Sequence, residues 1–108
     1  MKTSELTGAA LDWAVAKCEG ASADTLESFV DGMRCADDDN YSTSWELGGP
    51  LIEREGIALW PNGTAPWDAS VLNGKYVESG PTPLIAAMRC YCCSKLGETV
   101  EVPEELCK

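Results

Sequence analysis

The sequence predicts an α+β domain in which two or three helices pack on a small, mostly antiparallel sheet around a loop-rich centre. Three observations carry this. Thr82-Pro83 opens a long segment with one apolar face that Gly97 closes, a helix with both end signals. Asn73-Gly74 stands between the apolar pairs Val71-Leu72 and Tyr76-Val77, which is the signature of a tight hairpin. The 108 residues, 44% hydrophobic and 24% charged, have globular composition. A chain of this length buries roughly two-thirds of its extended surface on folding, so residues 1–108 are read as a single domain without a linker or repeat.

The elements follow in order. Leu11, Ala14, Val15 and Cys18 repeat at helical spacing, with Thr7 as N-cap, Leu6 as the residue stapling the entry and Gly20 as the stop. That places a first helix over Gly8–Cys18. Leu26, Phe29, Val30 and Met33 outline a second, with Asp24 as its cap and Glu27 three residues on. Residues 36–44 have no apolar period and read as a solvated loop. Ser44 caps one turn through Trp45, Glu46 and Leu47, which Gly48-Gly49-Pro50 is expected to stop. Ile57, Ala58 and Leu59 form a short buried strand, and the hairpin around Asn73-Gly74 follows. In the helix opened by Thr82, residues Leu84, Met88, Tyr91, Cys92 and Lys95 share a face. Thr99, Val100, Glu101 and Val102 alternate as an edge strand before Pro103 and a last turn.

Charge and composition exclude several functions. Eight basic against 18 acidic side chains give a net charge of −10, which repels nucleic acid and anionic membrane surfaces. The longest apolar runs fall far short of the ~20 residues of a bilayer span. Ser4, Glu5 and Thr7 interrupt any apolar stretch behind Lys2, so no secretory signal is expected, and the chain is assigned to the cytoplasm with its six cysteines reduced. The acidity suits a basic protein partner, or a small anionic ligand held in one locally positive pocket.

Three blocks carry a family resemblance. They are Lys2-Thr3-Ser4-Glu5-Leu6-Thr7-Gly8-Ala9-Ala10-Leu11-Asp12-Trp13-Ala14-Val15-Ala16-Lys17, then Tyr41-Ser42-Thr43-Ser44-Trp45 with Gly48-Gly49-Pro50-Leu51-Ile52-Glu53-Arg54-Glu55, and Gly80-Pro81-Thr82-Pro83-Leu84-Ile85-Ala86-Ala87-Met88-Arg89-Cys90-Tyr91. Together they resemble the NinX-like family of small proteins from lambdoid tailed phages and enterobacterial prophages. Residues 20–39 and Cys92-Cys93 lie outside the resemblance. It implies a phage accessory protein that engages a host factor or a host signalling molecule, and it transfers no chemistry.

The motifs weigh against catalysis. The chain has no histidine, so Ser-His and Cys-His pairs and the usual neutral-pH base are missing. Carboxylate chemistry would rest on Glu53, Glu55 and Asp68, although Glu53-Arg54-Glu55 also reads as a solvated surface run. Cys90 and Cys93 have metal-motif spacing but fall inside a helix, and Cys18, Cys35 and Cys107 would complete a thiolate site only by folding together. No metal and no cofactor is therefore expected. Asp37, Asp39 and Glu46 miss the calcium-loop pattern, because Ser42 takes the place of its glycine and Gly48 that of its last glutamate. Asn62-Gly63-Thr64 is a turn, and Gly48-Gly49-Pro50 is no phosphate loop.

What remains is a constellation of Tyr41, Ser42, Ser44, Trp45, Arg54, Trp60 and Trp67 in loops, with Arg89 on the helix opened by Thr82. Indoles stack planar groups, guanidinium groups grip anions in bidentate fashion, and the N–H groups after Thr82 form an anion seat. The candidate ligand-binding residues are Tyr41, Ser42, Ser44, Trp45, Arg54, Glu55, Trp67, Thr82 and Arg89, with the 41–55 segment beside the start of the Thr82 helix. The expected function is sequestration, without turnover, of a small anionic nucleotide-type host defence signal, stacked on Trp45 and clamped by Arg54 and Arg89. The alternative is an acidic module docking on a basic host protein. A homodimer would be compatible with either.

Overall fold

The computed structural model describes residues 1–31, 40–64, 66–71 and 76–106. It contains α1 (Gly8–Cys18), α2 (Ala23–Asp31), α3 (Trp45–Glu55), β1 (Ala58–Pro61), β2 (Trp67–Val71), β3 (Tyr76–Gly80) and α4 (Pro83–Leu96), with 3-10 turns at Thr3–Glu5 and Glu104–Leu106. The fold is α+β, with four α-helices among the described residues rather than two or three. The strands run antiparallel in the order β1-β2-β3, with Trp60 opposite Asp68 and Asp68 opposite Ser79. β2 and β3 are the expected hairpin strands; Leu72 and the Asn73-Gly74 turn lie outside the described residues, as do Met33, residues 36–39 of the loop with Asp37 and Asp39, Cys35 and Cys107.

α4 is the axis of the core. Thr82 caps it by accepting the Ile85 N–H at 3.1 Å, Pro83 follows, and the Gly97 N–H bonds back to the Cys93 carbonyl at 2.9 Å, so both end signals act as the sequence indicates. Leu84, Met88, Tyr91 and Cys92 are buried, while Lys95 on the same stripe is exposed. Ala86, Ala87, Cys90 and Cys93 are buried as well, so the helix is covered on most of its circumference. It packs on all three strands, on α1, on α3 and on the first 3-10 turn. Small residues make this possible, because Ala and Cys let neighbouring backbones approach.

α1 spans the residues its periodicity assigns. Thr7 occupies the N-cap position but forms no side-chain cap, and Leu6, fully buried, anchors the entry. In α2 the capping oxygen comes from Ser22, whose Oγ accepts the Thr25 N–H at 3.2 Å; Asp24, the cap expected from the sequence, lies inside the first turn instead.

Three expectations are corrected. First, Gly48-Gly49-Pro50 does not stop the helix begun at Trp45, which continues to Glu55. Pro50 faces solvent, and Gly49, lacking a Cβ, removes the clash that disfavours helical backbone before proline. Gly48 is buried where α3 crosses α4: a Cβ there would stand 2.5 Å from Leu84 Cδ2 and 2.8 Å from the Tyr41 carbonyl oxygen. The real stop is Gly56, at φ 64°, with the Ile57 N–H returning to the Ile52 carbonyl at 3.0 Å. The centre is therefore helix and strand rather than loop. Second, β1 starts at Ala58 and takes in Trp60, so neither Trp60 nor Trp67 is a loop residue. Third, Thr99 to Val102 is not an edge strand of the sheet. Thr99 forms an isolated bridge with Lys2, while Val100 N–H bonds the Met1 carbonyl at 2.8 Å and Thr3 N–H the Glu98 carbonyl at 2.9 Å.

Candidate functional site

The nine candidate residues divide among separate places. One of them is a groove between the turn preceding α3 and the start of α4. The turn is held at its base by Asp12, a buried residue of α1, whose Oδ1 accepts the Ser42 N–H at 2.8 Å. The Thr43 and Ser44 N–H groups bond the Asn40 carbonyl at 3.1 and 3.0 Å, which completes the turn and aims the chain into α3. Ser42, Trp45 and Thr82 thereby line one hollow of about 220 Å³ together with Pro83, Leu84 and Ile85. Trp45 is 55% exposed, the largest indole surface among the described residues. Ser42 is 2% exposed, and its Oγ finds no hydrogen-bond partner in the structure. A buried hydroxyl without a partner costs about 1–3 kcal/mol, a penalty a bound polar group would relieve. Tyr41 flanks this wall through its carbonyl against Gly48, and Ser44 stands at the N-cap of α3 without a side-chain cap.

The positive side of the groove is modest. Pro83 has no N–H, Thr82 Oγ1 takes the Ile85 N–H and the Thr82 carbonyl takes that of Ala86. Leu84, in the second helical position, is left without an acceptor within its own helix. The helix end adds roughly half a unit of positive charge.

Arg54 is elsewhere. It lies nine residues beyond Trp45 on α3, so about 13.5 Å further along the axis and roughly half a turn around it. Its Nη1 and Nη2 donate to the two Glu19 carboxylate oxygens at 3.0 and 2.6 Å, Nε donates to Glu55 at 2.8 Å, and Nη2 also donates to the Tyr91 hydroxyl at 2.9 Å. The guanidinium stands 5.7 Å from the Tyr91 ring centroid. Tyr91 donates a short hydrogen bond to Glu19, and Lys95 pairs with Glu55 at 3.4 Å. Arg54 holds the Glu19 and Glu55 carboxyls below their ordinary range, and its own pKa rises in return. Burial, followed by Glu19, raises the Tyr91 phenol. Arg54 and Glu55 therefore join α1, α3 and α4 through a surface ion network.

Arg89 occupies a third place. Tyr91 is two residues on, roughly 200° around α4, so the two arginines act from opposite sides of that helix. Arg89 Nε donates to the Leu6 carbonyl at 2.7 Å and Nη1 to the Ser79 carbonyl at 2.9 Å, which ties the entry of α1 to β3. Burial lowers its pKa, and the Glu78 charge partly offsets this. A hollow of about 430 Å³ lies alongside, lined by Arg89, Ser79, Pro81 and also Glu78, whose carboxyl is raised chiefly by burial. Trp67 sits at the start of β2, opposite Gly80 and half-buried against the core. The expected clamp of Arg54, Arg89 and Trp45 around one ligand is thus not formed. Arg54 satisfies Glu19 and its neighbour Glu55, and Arg89 the Leu6 and Ser79 carbonyls.

The other described motif residues are held by local contacts. Asp68 accepts from Ser79 Oγ at 2.6 Å and from Asn62 at 2.8 Å, bonds that lower its pKa, and Asn62 Oδ1 accepts the Thr64 N–H at 3.0 Å in the expected turn. Glu53 is exposed. Cys90 donates to the Tyr76 carbonyl at 3.1 Å, and burial pushes its thiol up to about 12. Among the described residues no three His, Cys, Asp or Glu side chains are grouped to hold a metal ion. Nor is any helix long and apolar enough to cross a membrane. Sequence reasoning missed Asp12, whose signal was a carboxylate between Leu11 and Trp13 on a helix buried on both sides of it.

Fold and surface define a small α+β domain in which α4 backs a three-stranded antiparallel sheet and an exposed indole borders a shallow groove. The chain belongs to the family described as bacteriophage P22 NinX, whose model matches residues 2–95. No curated protein sequence matches the chain.

Proposed function

We propose that this protein is a phage accessory binding protein, acting in the bacterial host cytoplasm, that holds a small ligand in the Trp45 groove without turnover. The ligand carries a planar ring and a single negative charge, as a cyclic mononucleotide-type host defence signal does. The observation that carries this reading is the meeting of Ser42, Trp45 and Thr82 around one hollow, with the Ser42 hydroxyl buried and without a partner in the wall behind it. The ring stacks on the indole, and the anionic group takes the Leu84 N–H and the Ser42 hydroxyl.

The groove sets the ligand's charge and size. Half a unit of helix-end charge, with Arg54 and Arg89 both engaged elsewhere and a net charge of −10 on the chain, favours one negative charge over a dianion or polyphosphate. A hollow of about 220 Å³ lies below the ~300–1,000 Å³ of sites that engulf a ligand, so part of the molecule stays in solvent. What supports binding without turnover is that Glu55 and Asp68 are already engaged by Arg54, Asn62 and Ser79.

Titration of cyclic mononucleotides, neutral nucleosides and dianionic mononucleotides, read by tryptophan fluorescence and thermal shift, tests the proposal. Binding with quenching that disappears in Trp45→Ala and survives in Trp60→Phe is the expected result. A panel in which no compound quenches or stabilises the protein overturns it.

A second reading has its own observation. Glu46, Pro50 and Glu53 share the solvent face of α3 next to the exposed Trp45, an aromatic anchor with an acidic rim suited to a basic host protein. Association with such a partner would weaken steeply with salt and with Trp45→Ala, and binding unmoved by either would dismiss it.

A further inference from the structure

The hollow beside Arg89 is built by one close approach. Gly80 lets the end of β3 lie against the first turns of α4: a Cβ there would stand 2.6 Å from the Ala86 nitrogen. Arg89 lies three residues beyond Ala86, on the same side of the helix, and so reaches β3. Its Nε and Nη1 donate to the Leu6 and Ser79 carbonyls at 2.7 and 2.9 Å, which fixes the plane of the guanidinium. Nη2 and the second N–H of Nη1 have no acceptor among the described residues. Glu78 lines the same hollow of about 430 Å³, yet among the described residues it forms no ion pair with Arg89 or with any other cation. A fixed guanidinium with donors to spare and a carboxyl without a counter-ion therefore face one space. Pro66, Val77 and Pro81 give that space apolar walls, and Ser4 stands at its rim.

We propose that this hollow binds a free α-amino acid with an aliphatic side chain, its carboxylate on Arg89, its ammonium on Glu78 and its side chain against Pro66, Val77 and Pro81. Both charged ends are needed. A simple carboxylate would leave Glu78 unpaired and meet the repulsion of a chain of net charge −10, while a simple amine would bring a second cation to Arg89. A zwitterion satisfies both groups and carries no net charge into the site. Orientation follows from what lies beyond Glu78, because Glu78 and Ser4 also line an adjoining hollow of about 260 Å³ that contains Glu98. Carboxylates gather at that end and the guanidinium at the other, so the ligand's ammonium points toward Glu78 and its carboxylate meets the parallel donors of Arg89. Burial raises the Glu78 carboxyl, and the Cys93 thiol and the Arg89 charge offset this only in part; an ammonium beside it would complete the compensation. The volume falls within the ~300–1,000 Å³ of small-molecule sites. Among the described residues the walls carry no aromatic ring, which suits an aliphatic side chain better than a stacked base. The site shares no lining residue with the Trp45 groove, and it stands or falls independently of ligand binding there.

The test uses the full chain, isotope-labelled for amide NMR and titrated with L-leucine, L-valine and L-methionine. Saturable shifts centred on Ser4, residues 77–80 and Arg89, with a Kd of about 1 mM or tighter, are the expected result. N-acetyl-L-leucine, which lacks the ammonium, and L-leucinamide, which lacks the carboxylate, should each bind about tenfold or more weakly than L-leucine. Glu78→Gln removes a carboxyl that pairs with no cation in the free protein, so its melting temperature should hold while its affinity for L-leucine falls by about tenfold. Arg89→Met should abolish binding; because Arg89 also ties Leu6 to Ser79, a failure of that variant to fold leaves the decision to L-leucinamide. No shift at about 10 mM of each amino acid, shifts centred elsewhere, equal binding of either blocked analogue, or Glu78→Gln binding L-leucine as the parent does would each overturn the assignment.

Discussion

Replacing Gly48 with alanine would place a methyl group 2.5 Å from Leu84 Cδ2 and 2.8 Å from the Tyr41 carbonyl oxygen. In an exposed helix the same change is favourable by roughly 0.8–1.0 kcal/mol, because alanine orders at lower entropic cost than glycine. Here the opposing term is larger. The Leu84 contact can be relieved by a rotamer shift, but the Tyr41 oxygen is backbone, in a turn that Asp12 and Asn40 hold from beneath. Overpacking of this kind typically costs about 1–3 kcal/mol, and a displaced backbone belongs to the upper part of that range. The net expectation is a destabilisation of about 1–2 kcal/mol, read as a lower urea midpoint at unchanged slope and as a fall in melting temperature of roughly 5–15 °C. Because the Tyr41–Ser42 turn is one wall of the groove, the substitution should also alter Trp45 fluorescence. Gly48→Ala as stable as the parent, or more so, would refute the close helix crossing and with it the construction of the groove.

Three further outcomes are expected. Thr82→Ala, which removes the side-chain acceptor of the Ile85 N–H, should cost about 1 kcal/mol in urea unfolding, and Thr82→Ser should recover most of it. Ser42→Ala deletes a buried hydroxyl that has no partner, so the free protein should be unchanged or more stable, by up to roughly 1 kcal/mol, while affinity for the ligand falls. Glu19, Glu55 and Asp68 all lie below their ordinary values, so each binds its proton less readily folded than unfolded. Their contribution is complete above the unfolded carboxylate value and disappears as pH falls through the lower folded values. The urea midpoint should therefore drop between about pH 5 and pH 3, and Glu19→Gln should make that drop shallower.

Local signals explain which parts of the fold were legible. α4 announces itself because its cap, its first proline and its terminal glycine all lie in one short stretch and all act there. α1 is equally plain, since its apolar spacing needs no partner to be recognised. α3 was read too short because Gly48, Gly49 and Pro50 are breakers by propensity; their use at a crossing becomes visible only once Leu84 and Tyr41 are beside them. The same holds for the site. Ser42 and Trp45 lie three positions apart in sequence, and Thr82 carries its own cap signal, so the groove was half visible. The arginine clamp was not recoverable, because the partner of Arg54 is a glutamate 35 residues away and that of Arg89 includes a backbone carbonyl 83 residues away. No spacing rule couples such positions.

The near-complete covering of α4 has a consequence for how the molecule opens. A helix touched by the sheet, by α1 and by α3 cannot loosen without exposing every one of them, so its amides should exchange with solvent only through global unfolding. α2 rests chiefly on α1 and the last 3-10 turn, and can detach as a small cooperative unit while the rest stays shut. Breathing is thereby confined to one flank, and the rim that carries Trp45, joined directly to the slow-exchanging centre, keeps its shape between encounters.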